Sequence, residues 1–452
     1  MNLRHKPRAR ILLVLLALAV TAASAQQPLT LRQAIDQALK QSPDAEAARA
    51  GTREAKAGAT LARTQYLPQF NLTEDISRGN DPVYVFGSRL RQQQFTQANF
   101  ALNALNKPLP INNFATKLSG QWLAFDSFRT QKSVHGADMM KRSADAGAQA
   151  ADQNVVFRVV QAYQGVLFAE RQVEVAQHEV DTAQALLDSV SDRVKAGLAV
   201  DSDRLQAQVN VAAQKQALIG AQGGLDIAWT ELRVAMGAPE LQQAKLQPIE
   251  PHMFPQGALN DELATAAKTR PDLSALTYAQ SAQAAAVSAA KLGFGPRVSA
   301  YGNWELDQPS FAGGGGNNWV AGVQIGLDIL PFSKRAELAR ATAAKARTDA
   351  QVNAYQQQIR LQVSQAHIAR QTAQLSLDTA RAATDQATES LRILRNRYSA
   401  GLATITDLLR AEDAERQAQT NYWHAVYGNT VAYAQLLFAT GTLTPDAAEV
   451  LQ

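Results

Sequence analysis

The chain has 452 residues, of which 46% are hydrophobic and 19% charged, with 44 Lys+Arg against 40 Asp+Glu and no cysteine. Four of the basic residues fall within the first ten positions, so beyond residue 25 the two signs balance, and the basic face that a nucleic-acid partner requires is not supplied. Without cysteine an exported chain has neither structural disulfides nor the N-terminal lipidation that needs Cys at the cleavage point.

The first segment reads as a signal peptide, residues 1–25. Arg4, Lys6, Arg8 and Arg10 make a basic head, "ILLVLLALAV" (11–20) an apolar stretch, and Ala23-Ser24-Ala25 a small-residue cleavage site. The apolar run is too short for a comfortable transmembrane helix of about 20 residues, and no later stretch is long and apolar enough either. A place in a membrane would therefore have to be taken as a β-barrel.

From Leu31 to about Tyr66 the sequence is rich in Ala, Gln, Arg and Glu, which predicts a helix, ended by Pro68. Residues 68–78 then alternate, Phe70, Leu72 and Ile76 against Gln69, Asn71, Thr73 and Asp75, the period of a strand with one apolar face. A loop over 78–113 leads to a returning strand at 116–126, with Leu118, Trp122 and Ala124 against Lys117, Ser119 and Gln121. Residues 129–196 contain no proline and predict one helix of roughly 100 Å at 1.5 Å per residue. It turns at Ala-Gly-Leu-Ala (196–199), and a second helix runs back to Gly237.

The same order then repeats. Leu31, Pro43 and Pro68 recur 228 positions later as Leu259, Pro271 and Pro296, and "DRVKAGLAVDSDRLQAQ" (192–208) returns as "NRYSAGLATITDLLRAE" at an offset of 204. Strands are expected at 296–306 and 319–330, a long helix at 333–396 and its return to Gly441. The fall in offset places about 24 surplus residues of the first copy in the loop joining its strands. The organisation is a first repeat at 26–237, a Pro-rich linker at 238–258, a second repeat at 259–441 and a tail at 442–452.

Four strands of about ten residues suit a bilayer crossing, but cannot close a barrel alone, since the smallest such barrels use eight. If the strands lie in lipid, closure is shared between copies, and the strand count alone admits a dimer, trimer or tetramer. A small soluble sheet packed on helices is the alternative. Trp122, Trp304 and Trp319 suit an aromatic girdle at the membrane interface.

The signal, helix, strand hairpin, long helix, Gly-Leu turn and return helix, all duplicated, resemble the TolC-like outer-membrane efflux proteins. The resemblance covers essentially the mature chain, and its most specific pieces are "LTLRQAIDQALKQSPD", the doubled helix–strand junctions at Pro68 and Pro296, and "RYSAGLATITDLLRAEDA" (397–414). It implies a mostly α fold with a small β part. Duplicated long helical hairpins would form a trimeric periplasmic α-barrel, and four strands per chain would contribute to a shared 12-stranded outer-membrane β-barrel. The implied function is the exit duct of a tripartite efflux or type I secretion system. Its implied partners are two further copies, a periplasmic adaptor, an inner-membrane transporter and the outer-membrane lipid.

Carried onto this chain, the resemblance makes Asp203 and Asp407 a periplasmic gate, with Arg193, Arg397 and Tyr398 flanking the turns. Arg410 stands where some members carry a second Asp, which suggests an Asp/Arg network instead of a double acidic ring. The tips Gly197-Leu198 and Gly401-Leu402 become adaptor-docking turns. Read from the residues alone, these glycines are helix C-caps and the aspartates first-turn charges of the following helices.

No catalytic, metal or cofactor site is expected. The six His residues are dispersed without metal-ligand spacing, Gly313–Gly316 lacks the Gly-Lys-Ser/Thr of a phosphate loop, and no Gly-x-Ser-x-Gly elbow occurs. Two non-enzymatic alternatives remain. A periplasmic adaptor normally has one helical hairpin flanked by β-domains, and a coiled-coil scaffold or adhesin would not need the strand hairpins.

Overall fold

The computed structural model describes residues 28–248 and 253–451, so the signal segment lies outside the described residues. In chain order the elements begin with α1 (Leu31–Gln41), α2 (Pro43–Thr64) and β1 (Gln69–Gly79). The first connection holds α3 (Pro82–Arg91), a 3-10 turn at Gln97–Phe100 and α4 (Leu102–Asn106). Then come β2 (Ile111–Phe125), α5 (Arg129–Lys195) and α6 (Asp201–Met236). The second copy runs α7 (Leu259–Thr269), α8 (Pro271–Leu292), β3 (Arg297–Gln308), β4 (Gly316–Gly326), α9 (Phe332–Ser399) and α10 (Ile405–Ala439), closed by a 3-10 turn at Ala447–Leu451.

Two compact units divide the chain. One comprises Ala50–Ala146 and Leu273–Tyr355, the other Gly147–Asp272 with the chain up to Arg49 and from Gln356 onward. The first contains one antiparallel sheet in the order β1-β2-β3-β4. The expected strands at 116–126 and 319–330 are observed at 111–125 and 316–326. Residues 111–115 pair with 75–79 although Asn112 and Asn113 break the apolar alternation, and Leu327–Leu330 leave the sheet where Asp328 pairs with Arg297 and Lys334. The first connection spans 80–110 and the second only 309–315, which is where the two copies differ in length.

The helical unit is built on the duplication. The single helix expected from Leu31 is interrupted at Ser42 (φ −63°, ψ 126°), and Arg270 breaks the second copy in the same way (φ −68°, ψ 115°). Each precedes a proline, whose Cδ disfavours helical geometry in the residue before it. Against each break packs the left-handed glycine that ends a return helix. A Cβ on Gly237 would lie 2.7 Å from the Gln41 carbonyl oxygen, and one on Gly441 would lie 2.7 Å from Arg270 Cα.

Beside these contacts Leu31, Ile35, Tyr163, Trp229, Leu232 and Met236 are fully buried, each large apolar side chain contributing about 1.5–3 kcal/mol. The linker is docked rather than free. Leu29 pairs with Leu246 as an isolated parallel bridge, and Tyr163 Oη donates to the Leu29 carbonyl at 2.7 Å. The tail also packs inward, with Leu443 and Leu451 buried in the same unit.

Candidate functional site

Register makes the sheet two-faced. Phe70, Leu72 and Ile76 on β1 share a face with Leu118 and Trp122 on β2, Trp304 on β3, and Trp319, Val323 and Ile325 on β4. Leu72 lies opposite Leu118, Leu118 opposite Trp304 and Trp304 opposite Trp319, one apolar row across all four strands. These side chains are exposed, Trp319 at 77%. The other face carries Asn71, Thr73, Lys117, Ser119, Asn303, Glu305 and Gln324. An apolar outer band with a polar inner face is the pattern of a membrane β-barrel wall.

All three tryptophans fall on the apolar face, at two levels. Trp122 stands near the Pro68 and Pro296 end and donates from Nε1 to the Tyr66 carbonyl at 2.9 Å, while Trp304 and Trp319 oppose each other nearer the connections.

In the helical unit the two turns are alike. The N–H of Leu198 donates to the Arg193 carbonyl at 2.8 Å and that of Gly197 to Val194 at 3.0 Å; Leu402 to Arg397 at 2.8 Å and Gly401 to Tyr398 at 3.0 Å repeat the pattern. These are paired six-to-one and five-to-two bonds, which satisfy the last carbonyls and need a left-handed residue. Gly197 (φ 71°) and Gly401 (φ 76°) supply it. Leu198 and Leu402 stay exposed, at 72% and 68%.

Just inside the turns Leu186, Val190, Ala207, Ile405 and Leu408 form a small buried cluster that joins both hairpins, with Tyr398 packed against it. The guanidinium of Arg193 lies 5.1 Å from the Tyr398 ring centroid, and Nη1 donates to the Tyr398 carbonyl at 3.3 Å. Burial raises the Tyr398 hydroxyl above its ordinary range; Arg193 opposes the rise and the charge of Asp203 adds to it.

Asp407 is engaged locally. It is the third residue of a capping box, accepting from Thr404 Oγ1 at 2.7 Å and from the Thr404 N–H at 3.1 Å. The Thr404 hydroxyl first, then its N–H, then the charges of Arg410 and Arg397 hold this carboxyl below the ordinary range. The aspartate and both arginines thus form one electrostatic group. Asp203 sits at the equivalent place of α6, but Val200 precedes that helix without a side-chain cap.

A second acidic group was not legible in the spacing. Glu179 of α5 and Glu412 and Glu415 of α10 are all buried. Burial lifts Glu179 to about 7, with Glu415 and Glu412 adding to the rise and Arg416 and Arg395 offsetting part of it. Glu412 meets Arg395 at 3.5 Å, and Glu415 accepts from Gln419. A fold that brings positions 179 and 412 together is the only signal for this cluster. Among the described residues no group of His, Cys, Asp and Glu has the arrangement of a metal site, and no helix is long and apolar enough to cross a membrane.

A two-faced sheet of membrane-spanning strand length, in one chain with duplicated helical hairpins, defines an outer-membrane channel protein. The chain belongs to the outer membrane efflux protein family, whose model matches residues 34–238 and 263–442. It is 23% identical over 439 residues to the outer membrane efflux protein BepC of Brucella suis biovar 1, covering 96% of this chain and 90% of that protein. It is 25% identical over 309 residues to the fusaric acid resistance protein FusA of Burkholderia cepacia, a match spanning 67% of this chain and only 56% of FusA. Among solved structures CusC, described as forming a transmembrane channel, matches with a TM-score of 0.77 at 18% identity, over 91% of this chain and 92% of that one. The chain is an outer-membrane efflux channel protein.

Proposed function

We propose that three copies of this chain share one closed barrel in the outer membrane and one helical conduit in the periplasm, with 26–237 and 259–441 as equivalent repeats. Together they form the passive exit duct of a tripartite efflux or secretion system, without enzymatic activity or cofactor. The observation that carries this reading is the sheet itself: four strands whose one face is mainly apolar, interrupted by the Glu74–Thr116 pair, with β1 and β4 at its two edges. An open edge in hydrocarbon leaves backbone groups unsatisfied at several kcal/mol each, so strands presenting this face to lipid demand closure by further copies.

The exposed leucines at Gly197-Leu198 and Gly401-Leu402 are the surfaces we assign to a periplasmic adaptor, through which an inner-membrane transporter delivers the cargo. Asp203 and Asp407, with Arg193, Arg397, Tyr398 and Arg410, are assigned to the gate, and Trp122, Trp304 and Trp319 to the aromatic girdle. Two duplicated turns in each of three chains would place six carboxylates around the narrow end and focus cations there.

The test is fractionation of cells expressing the full chain, followed by electrophoresis with and without heating. A heat-sensitive trimer in the outer membrane is expected, and a soluble monomer would sink the proposal. Asp203→Ala with Asp407→Ala should then raise single-channel conductance and lower cation selectivity; unchanged values remove the acidic gate.

A further inference from the structure

The first connection does not project away from the sheet. From Asp81, whose side chain caps α3 by accepting the Tyr84 N–H at 2.9 Å, the chain folds across the polar face of its own four strands. Tyr84 Oη lies 3.0 Å from Ser77 Oγ, a polar-face residue of β1. At the far end of the helix, Gln92 donates to the Asn113 side-chain oxygen at 2.8 Å, and Asn113 donates to Asp307 at 2.7 Å. These three residues are 3%, 4% and 0% exposed. The polar face of β1 is thus tied to the connection through Tyr84, and that of β2 and β3 by a buried chain of amides ending on a carboxylate.

β4 is fitted to the same helix. Asn318 donates to the Arg91 carbonyl at 3.1 Å, and a Cβ on Gly316 would fall 1.7 Å from that oxygen. Only glycine admits the approach. The Arg91 guanidinium reaches Glu305 at 3.6 Å, beside the Lys117 contact to the same carboxylate oxygen at 3.2 Å. Behind the helix, Phe86, Phe95 and Phe100 pack edge to face at 4.8–6.5 Å, giving the segment an apolar centre of its own. A hydrogen-bonded chain in a low-dielectric setting holds firmly only when its members are satisfied, and this one is built into three strands.

We propose that residues 80–110 form a fixed constriction inside the barrel, a size- and charge-selective filter at the end of the barrel where the strand connections lie. The inference rests on the trimeric-barrel reading, under which the polar face lines the lumen and three such segments converge. Barrel interiors are narrowed in this way by inward-folded loops or helices. The second copy has only 309–315 in the equivalent place, so each chain contributes one segment. The filter discriminates by hydrated size and presents Arg91, Lys117 and Glu305 to whatever passes.

The chain contains no cysteine, so Ser299→Cys, on the polar face toward the Pro296 end of β3, gives a single thiol beyond the constriction. Intact cells carrying it are treated from outside with a small charged methanethiosulfonate and, separately, with a long PEG-maleimide. The small reagent is expected to label, and the polymer to label slower by roughly tenfold or more, as a narrowing that excludes bulky solutes requires. Replacing 82–107 by a short Gly-Ser link should abolish the difference. Gln92→Ala with Asn113→Ala, which frees the segment without removing it, should reduce the difference while the heat-sensitive trimer persists. Equal labelling by both reagents with the native segment overturns the constriction. A thiol that neither reagent reaches from outside, with or without the segment, overturns instead the lumenal assignment of the polar face.

Discussion

Arg193 and Tyr398 are joined twice, the guanidinium 5.1 Å from the ring centroid and Nη1 3.3 Å from the backbone carbonyl. The carbonyl it uses also accepts the Gly401 N–H, so Arg193 ties the end of α5 to the turn of the other hairpin. A partly exposed cation–π contact contributes about 0.5–1 kcal/mol, and a hydrogen bond from a charged group about 1.5–3 kcal/mol. Under the gate assignment, Arg193→Ala should shift the closed–open balance by roughly thirtyfold or more. Tyr398→Phe keeps both the ring and the carbonyl and should change little. Single-channel recordings in planar bilayers check the pair; a Tyr398→Phe effect as large as that of Arg193→Ala would show that the hydroxyl holds the turn.

The capping box at Thr404 gives α10 a pH-dependent start. Asp407 is held below the ordinary carboxylate range when folded, so its contribution is present above the unfolded value and is lost as pH falls through the lower folded one. Amide exchange in the first turn of α10, corrected for its intrinsic pH dependence, should quicken in acid and stay flat with pH in Asp407→Asn. Thr404→Ala removes the cap at about 1 kcal/mol, and should speed exchange there by roughly fivefold at neutral pH. The first turn of α6, which lacks a side-chain cap, should exchange faster than that of α10 in the unaltered protein.

Most of the architecture was legible because two periods dominate the chain. Alternation in 68–78 exposed β1, and proline-free stretches exposed α5 and α9 to within a few residues. What stayed hidden had no period. The break at Ser42 is set by the clash of the following proline with its neighbour, which composition alone masks beneath good helix formers. The tail and linker carry no period, yet Leu443 and Leu246 are buried, because docking depends on a surface that two other segments create. The gate candidates follow from a resemblance in sequence, whereas Arg193 over Tyr398, Glu179 against Glu415, and Asn113 on Asp307 exist only once distant positions meet.

The Glu179 cluster makes stability depend on pH in the opposite sense to Asp407. Burial, then Glu415 and Glu412, raise Glu179 from 4.5 to about 7 in the folded chain. The protonated form is favoured by folding, so its contribution is full below 4.5 and is lost as pH rises through about 7. Glu179→Gln mimics the protonated form. It should raise the melting temperature at pH above 8 by roughly 2–4 °C and leave it unchanged near pH 5. A gain of equal size at both values would mean that the side chain's packing, not its charge, is responsible.

The two faces of the sheet can be told apart by neighbouring residues on one central strand. Leu118 stands on the apolar face between Leu72 and Trp304, and Ser119 on the polar face between Asn71 and Asn303. The positions share a strand, a depth and the same two flanking strands, so a charge placed at each differs chiefly in the face it meets. Arginine on a lipid-facing strand near the bilayer centre costs roughly 2–4 kcal/mol, and under the trimeric reading symmetry repeats that cost in every copy. Leu118→Arg should therefore deplete the heat-sensitive trimer from outer membranes. Ser119→Arg should assemble normally and lower cation selectivity, since the added charge faces the water-filled side. The comparison is read from gel bands before and after heating and from reversal potentials in a salt gradient. Equal tolerance of both arginines would mean that the apolar row faces protein rather than lipid, and the sheet would then have to be covered by another chain instead of closed by copies of itself.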